Sequence, residues 1–371
     1  MTKESVKEFL KKKDIEISLR RYGIDALGAM AQGLFCTLLV GTILSTLGTQ
    51  FHALDFLVKT IATVGAAEYS VASLCTAMAG PAMAAAIGYA LKSPPLVLFS
   101  LIVVGFAANA LGGAGGPLAV LVIAILASEF GKLVSKETKV DILVTPLVTI
   151  GVGVGLAAWW APALGKAAMW VGDLIMWATN LQPFLMGILV SVLVGMALTL
   201  PISSAAICAA LGLTGLAGGA AVAGCCAQMI GFAVMSFPEN KWGGLVSQGI
   251  GTSMLQMGNI VKNPRVWIAP IVTSAITGPI ATCLFKLEMN GAAINSGMGT
   301  CGLCGQLGVW TGWLEPSAKA IENGAVAITP TAFDWLGLIL ISFVLPAILC
   351  PLINNLCRKA GWVKDGDLTL S

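Results

Sequence analysis

Charge is scarce in this chain. Of its 371 residues, 11% are charged and 57% are hydrophobic, where soluble domains carry about a quarter charged residues. That deficit excludes a soluble fold of this size, which would need more charge to cover its surface. Histidine is nearly absent: His52, beside Asp55 after the first long apolar run, is the only one. A single histidine excludes most His-rich metal sites and a His-based phosphorelay within the chain, and His52 reads as an interface residue. No P-loop, dinucleotide-binding glycine pattern or nucleophile elbow appears in the strand-and-helix setting those motifs need. An enzyme with its own catalytic residues is therefore not expected, nor a cofactor, a metal or a nucleic-acid partner. Strand-like alternation is missing too, which excludes a membrane β-barrel.

What the chain has instead is long apolar runs, at 26–47, 96–111, 118–130, 142–158, 184–200, 266–285 and 335–349. A helix rising about 1.5 Å per residue needs roughly 20 such residues to cross the hydrocarbon of a bilayer, and helices are the spanning element that continuous apolar runs allow. The expected fold is all-α: a polytopic transmembrane helical bundle of about ten spans. Lys3, Lys7, Lys11, Lys12, Lys13, Arg20 and Arg21 precede the first run, and Arg358, Lys359 and Lys364 follow the last. By the positive-inside rule both termini are cytoplasmic and the number of crossings is even. Residues 1–22 form a cytoplasmic amphipathic segment on this reading, with Val6, Phe9, Leu10 and Ile17 as the apolar stripe of a surface-lying helix; a solvated tail is the alternative. The membrane domain covers 23–357, and 358–371 is a cytoplasmic tail.

The ten cysteines lie mostly inside apolar runs, where free Cys behaves as a small hydrophobe. Cys301 and Cys304 have CxxC spacing, but structural zinc wants four ligands and no second pair accompanies them.

A faint internal repeat organises the rest. GLFCTLLVG at 33–41 matches GILVSVLVG at 187–195, Ile87-Gly-Tyr-Ala90 matches Ile230-Gly-Phe-Ala233, and Pro146-Leu-Val-Thr149 matches Pro270-Ile-Val-Thr273. The order is the same in both halves, and the offset shrinks along the chain as if the second copy had lost a helix near 118–133. The copies are taken as about 25–180 and 184–330, related by inversion, with a final span at about 333–356. Duplicated halves in membrane proteins characterise transporters, with the substrate held near the midplane.

Three segments break the helical pattern: NALGGAGGP at 109–117, the amphiphilic stretch 243–259, and GAAINSGMGTCGLCGQLG at 291–308. Non-helical backbone at membrane depth is tolerated only where it is buried in protein or lines a cavity. The third segment is too rich in glycine for an ordinary span and too apolar for a solvated loop, and reads as a re-entrant hairpin or broken helix. Glycine-rich turns expose backbone amides that bind polar groups. Asn295, Ser296, Thr300 and Gln306 would add side-chain donors and acceptors, while Gly297, Gly299, Gly302 and Gly305 shape the loop; the competing reading is that the glycines only let helices pack closely. Glu68 and Asn109 are further candidates. An acid at the bilayer centre costs about 2.5–3.5 kcal/mol and so faces a partner or cavity, unless Glu68 sits at a helix end among headgroups. Gln228 is a buried-polar candidate of the same kind. Glu129 is explained by pairing with Lys132 one turn on.

The run NSGMGTCGLCGQ at 295–306 resembles the glycine-rich signature of bacterial phosphotransferase-system IIC-like membrane proteins, the group also called perfringolysin regulator-like. The resemblance covers roughly 20–357 and extends to the 109–117 break and to the helices holding Pro146 and Pro270. It implies a homodimeric sugar-type permease of the bacterial inner membrane, working with a separate IIB protein if transport is coupled to phosphorylation. The carboxylate and histidine of well-studied sugar IIC sites have no matched counterpart here. The expected function is a carrier of a small polar, sugar-like solute by alternating access. The alternatives are a membrane sensor that does not transport, or an ion-coupled carrier of a small carboxylate.

Overall fold

The computed structural model describes residues 3–370, and of the first helix only the side chains from Glu8 onward. The chain divides into two compact units, Met1–Gly41 with Asp55–Ala167, and Thr42–Leu54 with Ala168–Ser371. Apart from one small hairpin, the described residues outside turns and linkers are helical.

Unit one opens with α1 (Lys3–Lys12). Asp14, at φ 52°, breaks the helix, so Ile17 lies beyond its end and is 84% exposed. Phe9 and Leu10 are half-buried. The expected stripe is therefore cut short, and its fourth member, Val6, has a side chain outside the described ones. α2 (Arg21–Thr49) follows and contains two π-helical turns, Arg21–Asp25 and Phe35–Leu39. A two-stranded antiparallel hairpin, β1 (Ala62–Val64) and β2 (Ala67–Tyr69), turns at Gly65. Next come α3 (Val71–Ala77) and α4 (Ala79–Ala90), bent by 48° between them. α2 runs antiparallel to this pair: Gly33 lies against the backbone of Ala82, and Gly41 against that of Ala72.

α5 (Pro95–Gly112) and α6 (Gly116–Val134) form a hairpin through Gly113–Gly115. The Ser93 and Ser128 hydroxyls meet at 2.7 Å near its open end, and Gly131 packs on Val97. The 109–117 break is thus a tight inter-helix turn. Without a hydrophobic drive between helices in lipid, such close glycine contacts supply the packing energy. Near the open end Lys132 is buried, donating to the Leu91 carbonyl at 2.6 Å and lying 3.5 Å from Glu129. α7 (Asp141–Thr179) is 39 residues long and contains Pro146 and Pro162. At about 1.5 Å per residue it is nearly twice as long as the hydrocarbon is thick.

Unit two contains α8 (Pro183–Thr199), the short α9 (Ser204–Leu211), α10 (Gly215–Met235), α11 (Phe237–Val246), α12 (Met257–Lys262) and α13 (Pro264–Phe285). After these come α14 (Cys304–Leu314), α15 (Ala318–Glu322) and α16 (Ala332–Lys359). α10 is the most enclosed, with 89% of its apolar window buried. Val222, Ala223, Ala281, Val309, Trp313 and Ile341 form the core around it. α8 lies parallel to α10: Ser191 meets Gly224, and four to eight residues further along both helices Thr199 meets Gln228. α2 and α4 in unit one carry the matching motifs yet run antiparallel, with the hairpin and α3 between them where unit two has α9.

Six stretches among the described residues are long and apolar enough to cross a membrane, and seven if the bent α3–α4 pair is one span. One of the six, Pro95–Val134, is the α5–α6 hairpin.

Candidate functional site

The glycine-rich segment belongs to unit two and is buried there without forming an α-helix. α13 ends in a π-turn, and Lys286 in the left-handed region turns the chain out of it. Met289 then pairs with Gly215 through two backbone hydrogen bonds of 3.0 Å. A 3-10 turn over Ala293–Gly297 and another over Cys301–Leu303 lead into α14. Ser296, Gly297, Met298, Gly299, Thr300 and Cys301 are all buried. The break expected at 291–308 is present, and its cause is local. Gly299, Gly302 and Leu303 have φ of 54°, 52° and 60°, a region that costs an L-residue roughly 1–2 kcal/mol.

Two glycines are required by space as well. A Cβ on Gly297 would lie 2.6 Å from the carbonyl oxygen of Ser204, and one on Gly299 would lie 2.6 Å from the Cβ of Cys225 and 2.8 Å from its carbonyl carbon. The segment is thereby clamped between α9 and α10. Ser204 caps the clamp by donating to the Gly297 carbonyl at 2.7 Å.

The hydroxyl groups expected to meet a ligand are engaged. Ser296 Oγ donates to the Leu213 carbonyl at 2.6 Å, and Thr300 Oγ1 to the Gly249 carbonyl at 2.5 Å. Both residues are fully buried. They anchor the segment to its neighbours, as a buried hydroxyl must find a partner or cost about 1–3 kcal/mol.

The amides behave differently. Gln306, 9% exposed, donates from Nε2 to Cys226 Sγ at 3.2 Å, while its Oε1 is buried and has no partner. Asn290, 5% exposed, donates from Nδ2 to Glu288 Oε2 at 2.9 Å, and its Oδ1 is likewise unpartnered. Asn295 is half-buried against Gly308 of α14, where an added Cβ would lie 2.8 Å from its Nδ2. Gly291 packs on Gly308 too, and Asn290 on Gly312, so Asn290 and Asn295 share one face of α14. Buried polar atoms in native structures are nearly always paired, so unpaired acceptors call for an explanation. Glu288 and Asn290 were not singled out from sequence. The available signal was that Glu288 is the only acidic residue between Glu239 and Glu315.

From Met289 to Leu314 the chain carries no Asp, Glu, Lys or Arg. Such a segment can offer hydrogen bonds to neutral polar groups, and it has no side-chain cation to neutralise an anion. Cys301 and Cys304 are buried, and Cys304 Sγ lies 3.2 Å from Thr46 Oγ1.

The remaining candidates lie elsewhere. Glu68 is on β2, exposed, and accepts from Thr60 Oγ1 at 3.0 Å. Asn109 is half-buried on α5 beside Gly116, in unit one. Gln228 has its needs met: its Oε1 accepts from Trp267 Nε1 at 2.8 Å and from Thr199 at 3.2 Å, and its Nε2 donates to Ser274 at 3.4 Å.

Helices long and apolar enough to cross the bilayer define a multi-pass membrane protein, and its second unit buries a helix break flanked by unpaired amides. Residues 24–370 match the family described as Phosphotransferase system, EIIC. The chain belongs to that family and is a membrane transporter component. No curated protein and no solved structure matches it.

Proposed function

We propose that the chain carries a small, uncharged polar solute across the membrane, and that the solute is a sugar or sugar derivative. The observation that supports this reading most is the unpaired, buried Oε1 of Gln306, in the first turn of α14 directly after a helix break, within a stretch, 289–314, free of acidic and basic side chains. Hydroxyl groups of a sugar are donors suited to the free acceptors of Gln306 and Asn290, and to the Glu288 carboxylate. Asn295 supplies both a donor and an acceptor. Ser296, Thr300, Gly297, Gly299 and Gly302 hold the backbone in place. The neutrality of the segment favours a sugar over a carboxylate.

In this reading the carrier works by alternating access between two related halves, about 25–180 and 184–330, followed by a final span. The contact boundary at Ala168 falls near the junction of those halves. Counting α5 and α6 separately, α3–α4 once, and adding α8 and the break leading into α14 gives about ten crossings, with both termini cytoplasmic. A homodimer in the bacterial inner membrane, served by a separate IIB protein, completes the assignment.

Proteoliposome uptake tests it. Reconstituted protein should accumulate or exchange a labelled sugar from a panel of sugars and polyols, and Gln306→Leu should abolish this. Binding without uptake would replace the carrier with a sensor, and uptake of carboxylates alone would overturn the substrate class.

A further inference from the structure

The segment after α16 does not hang free. Leu368 is fully buried and Val363 is 2% exposed. Their backbone lies along a row of amide side chains in the second helix break. Asn240 Nδ2 and Gln256 Nε2 both donate to the Leu368 carbonyl, at 2.8 and 2.9 Å. Asn259 Nδ2 donates to the Thr369 carbonyl at 2.9 Å, and Asn263 Nδ2 to the Trp362 carbonyl at 2.9 Å. Leu370 N–H donates back to Asn240 Oδ1 at 2.8 Å. Arg358 bridges Glu239 and Asp365, fastening the start of the segment to α11.

This row continues into the glycine-rich segment. Gln256 Nε2 also donates to Gln248 Oε1 at 2.8 Å. Gln248 lies in the π-helical turn Ser247–Gly251, and Gly249 of that turn accepts the Thr300 hydroxyl at 2.5 Å. Single π-turns of this sort interrupt helices at functional sites. The tail, the amide row and Gln248 are thus joined by hydrogen bonds, and the backbone of the π-turn carries the connection on to Gly249 and Thr300. The central links, Gln256 to Leu368, Gln256 to Gln248 and Thr300 to Gly249, are buried, where such bonds are strong when complete and costly when broken.

The geometry points to an intramolecular latch: residues 362–370 hold the Ser247–Gly251 turn, and through Gly249 and Thr300 they hold the glycine-rich segment in its present conformation. Release of the tail frees that segment to move. The tail is bound mainly through its own backbone carbonyls, so the groove would accept another extended peptide bearing a leucine at the position of Leu368. Regulation of solute passage by this latch rests on the carrier reading; the latch itself does not.

Hydrogen–deuterium exchange of the full chain in detergent, without solute, tests the latch. Two variants break it from opposite sides. Leu368→Asp places a charge in the apolar socket, and Asn259→Asp replaces the amide donor with a second acceptor while leaving the tail intact. Both should raise exchange about tenfold at 247–251 and 299–301, with α10 unchanged. A synthetic peptide of residues 362–370 should restore protection in the Leu368→Asp protein. Exchange that rises only within 362–370 in both variants overturns the latch. So does loss of protection throughout α10 that the peptide fails to reverse. In proteoliposomes the released variants should differ from the parent in uptake rate. Equal rates alongside faster exchange overturn the regulatory role. If the parent itself moves no solute, the exchange result still decides the latch and only the carrier reading fails.

Discussion

Replacing Gly299 by alanine perturbs the clamp at its tightest point. Gly299 has φ 54°, and an added Cβ would sit 2.6 Å from Cys225 Cβ, 2.8 Å from Cys225 C and 3.0 Å from Cys226 N. The backbone term alone costs roughly 1–2 kcal/mol. Two of the three close atoms are α10 backbone, which cannot rotate away, so overpacking adds about 1–3 kcal/mol. The expected loss is about 2–5 kcal/mol, a large fraction of the 5–15 kcal/mol typical of folded proteins. Gly151→Ala is the internal control. Gly151 lies in α7, has no atom within 4 Å of an added Cβ, and has no positive φ. There alanine should be neutral or stabilising by about 0.5–1 kcal/mol. Denaturant unfolding in detergent, followed by tryptophan emission, measures both. Membrane insertion should be normal in each, because the spans are untouched. A Gly299→Ala protein as stable as the parent would refute the clamp, since no relaxation that leaves α10 in place removes those contacts.

Other outcomes follow from particular contacts. Gln306→Leu removes an unpaired buried acceptor and should change unfolding stability by less than about 1 kcal/mol; a loss above 2 kcal/mol would make Gln306 a structural residue. Gln228→Leu strands Trp267 Nε1, while Thr199 keeps Ser253, and should cost about 1–3 kcal/mol with a shift in tryptophan emission; unchanged stability and spectrum would show that the network contributes nothing. Asp14 is held below the usual carboxylate range chiefly by the hydrogen bond from Arg21, at 2.7 Å. A lowered folded pKa stabilises above the unfolded value, about 3.9, and that contribution is lost as pH falls through the folded pKa. Amide protection of α1 should therefore drop as pH is lowered below about 4, and Arg21→Gln should remove that step; an identical step in the variant would refute the pairing.

The parts of the fold that were legible from sequence were those governed by helix-breaking residues. Glycines and a proline at 109–117, and glycines alone at 291–308, interrupt apolar runs, and the chain turns at both places. Pairing of Lys132 with Glu129 was legible from their spacing. Less visible were features that depend on distant backbone. Ser296 and Thr300 looked like free donors because their acceptors, the carbonyls of Leu213 and Gly249, leave no mark on the sequence around them. The docking of 362–370 uses main-chain carbonyls of the tail, so nothing in its sequence marks it. The hairpin that carries Glu68 was not legible, because its three-residue strands are too short to show alternation. Repeat motifs in α8 and α10 matched those in α2 and α4, but the two pairs pack in opposite senses, which depends on the connections between the helices and leaves no trace in the motifs.

Ligand-dependent stabilisation tests the central claim, that the break over 290–306 binds an uncharged polar solute. The purified protein is unfolded in the presence of sugars, polyols and carboxylates, alongside Gln306→Leu and Asn295→Ala. A ligand at a hundredfold its Kd adds about 2.7 kcal/mol to the folded state. The account predicts such a gain from a sugar or polyol in the parent and its loss in both variants. A ligand that stabilises the variants as much as the parent, or stabilisation by carboxylates alone, would contradict it.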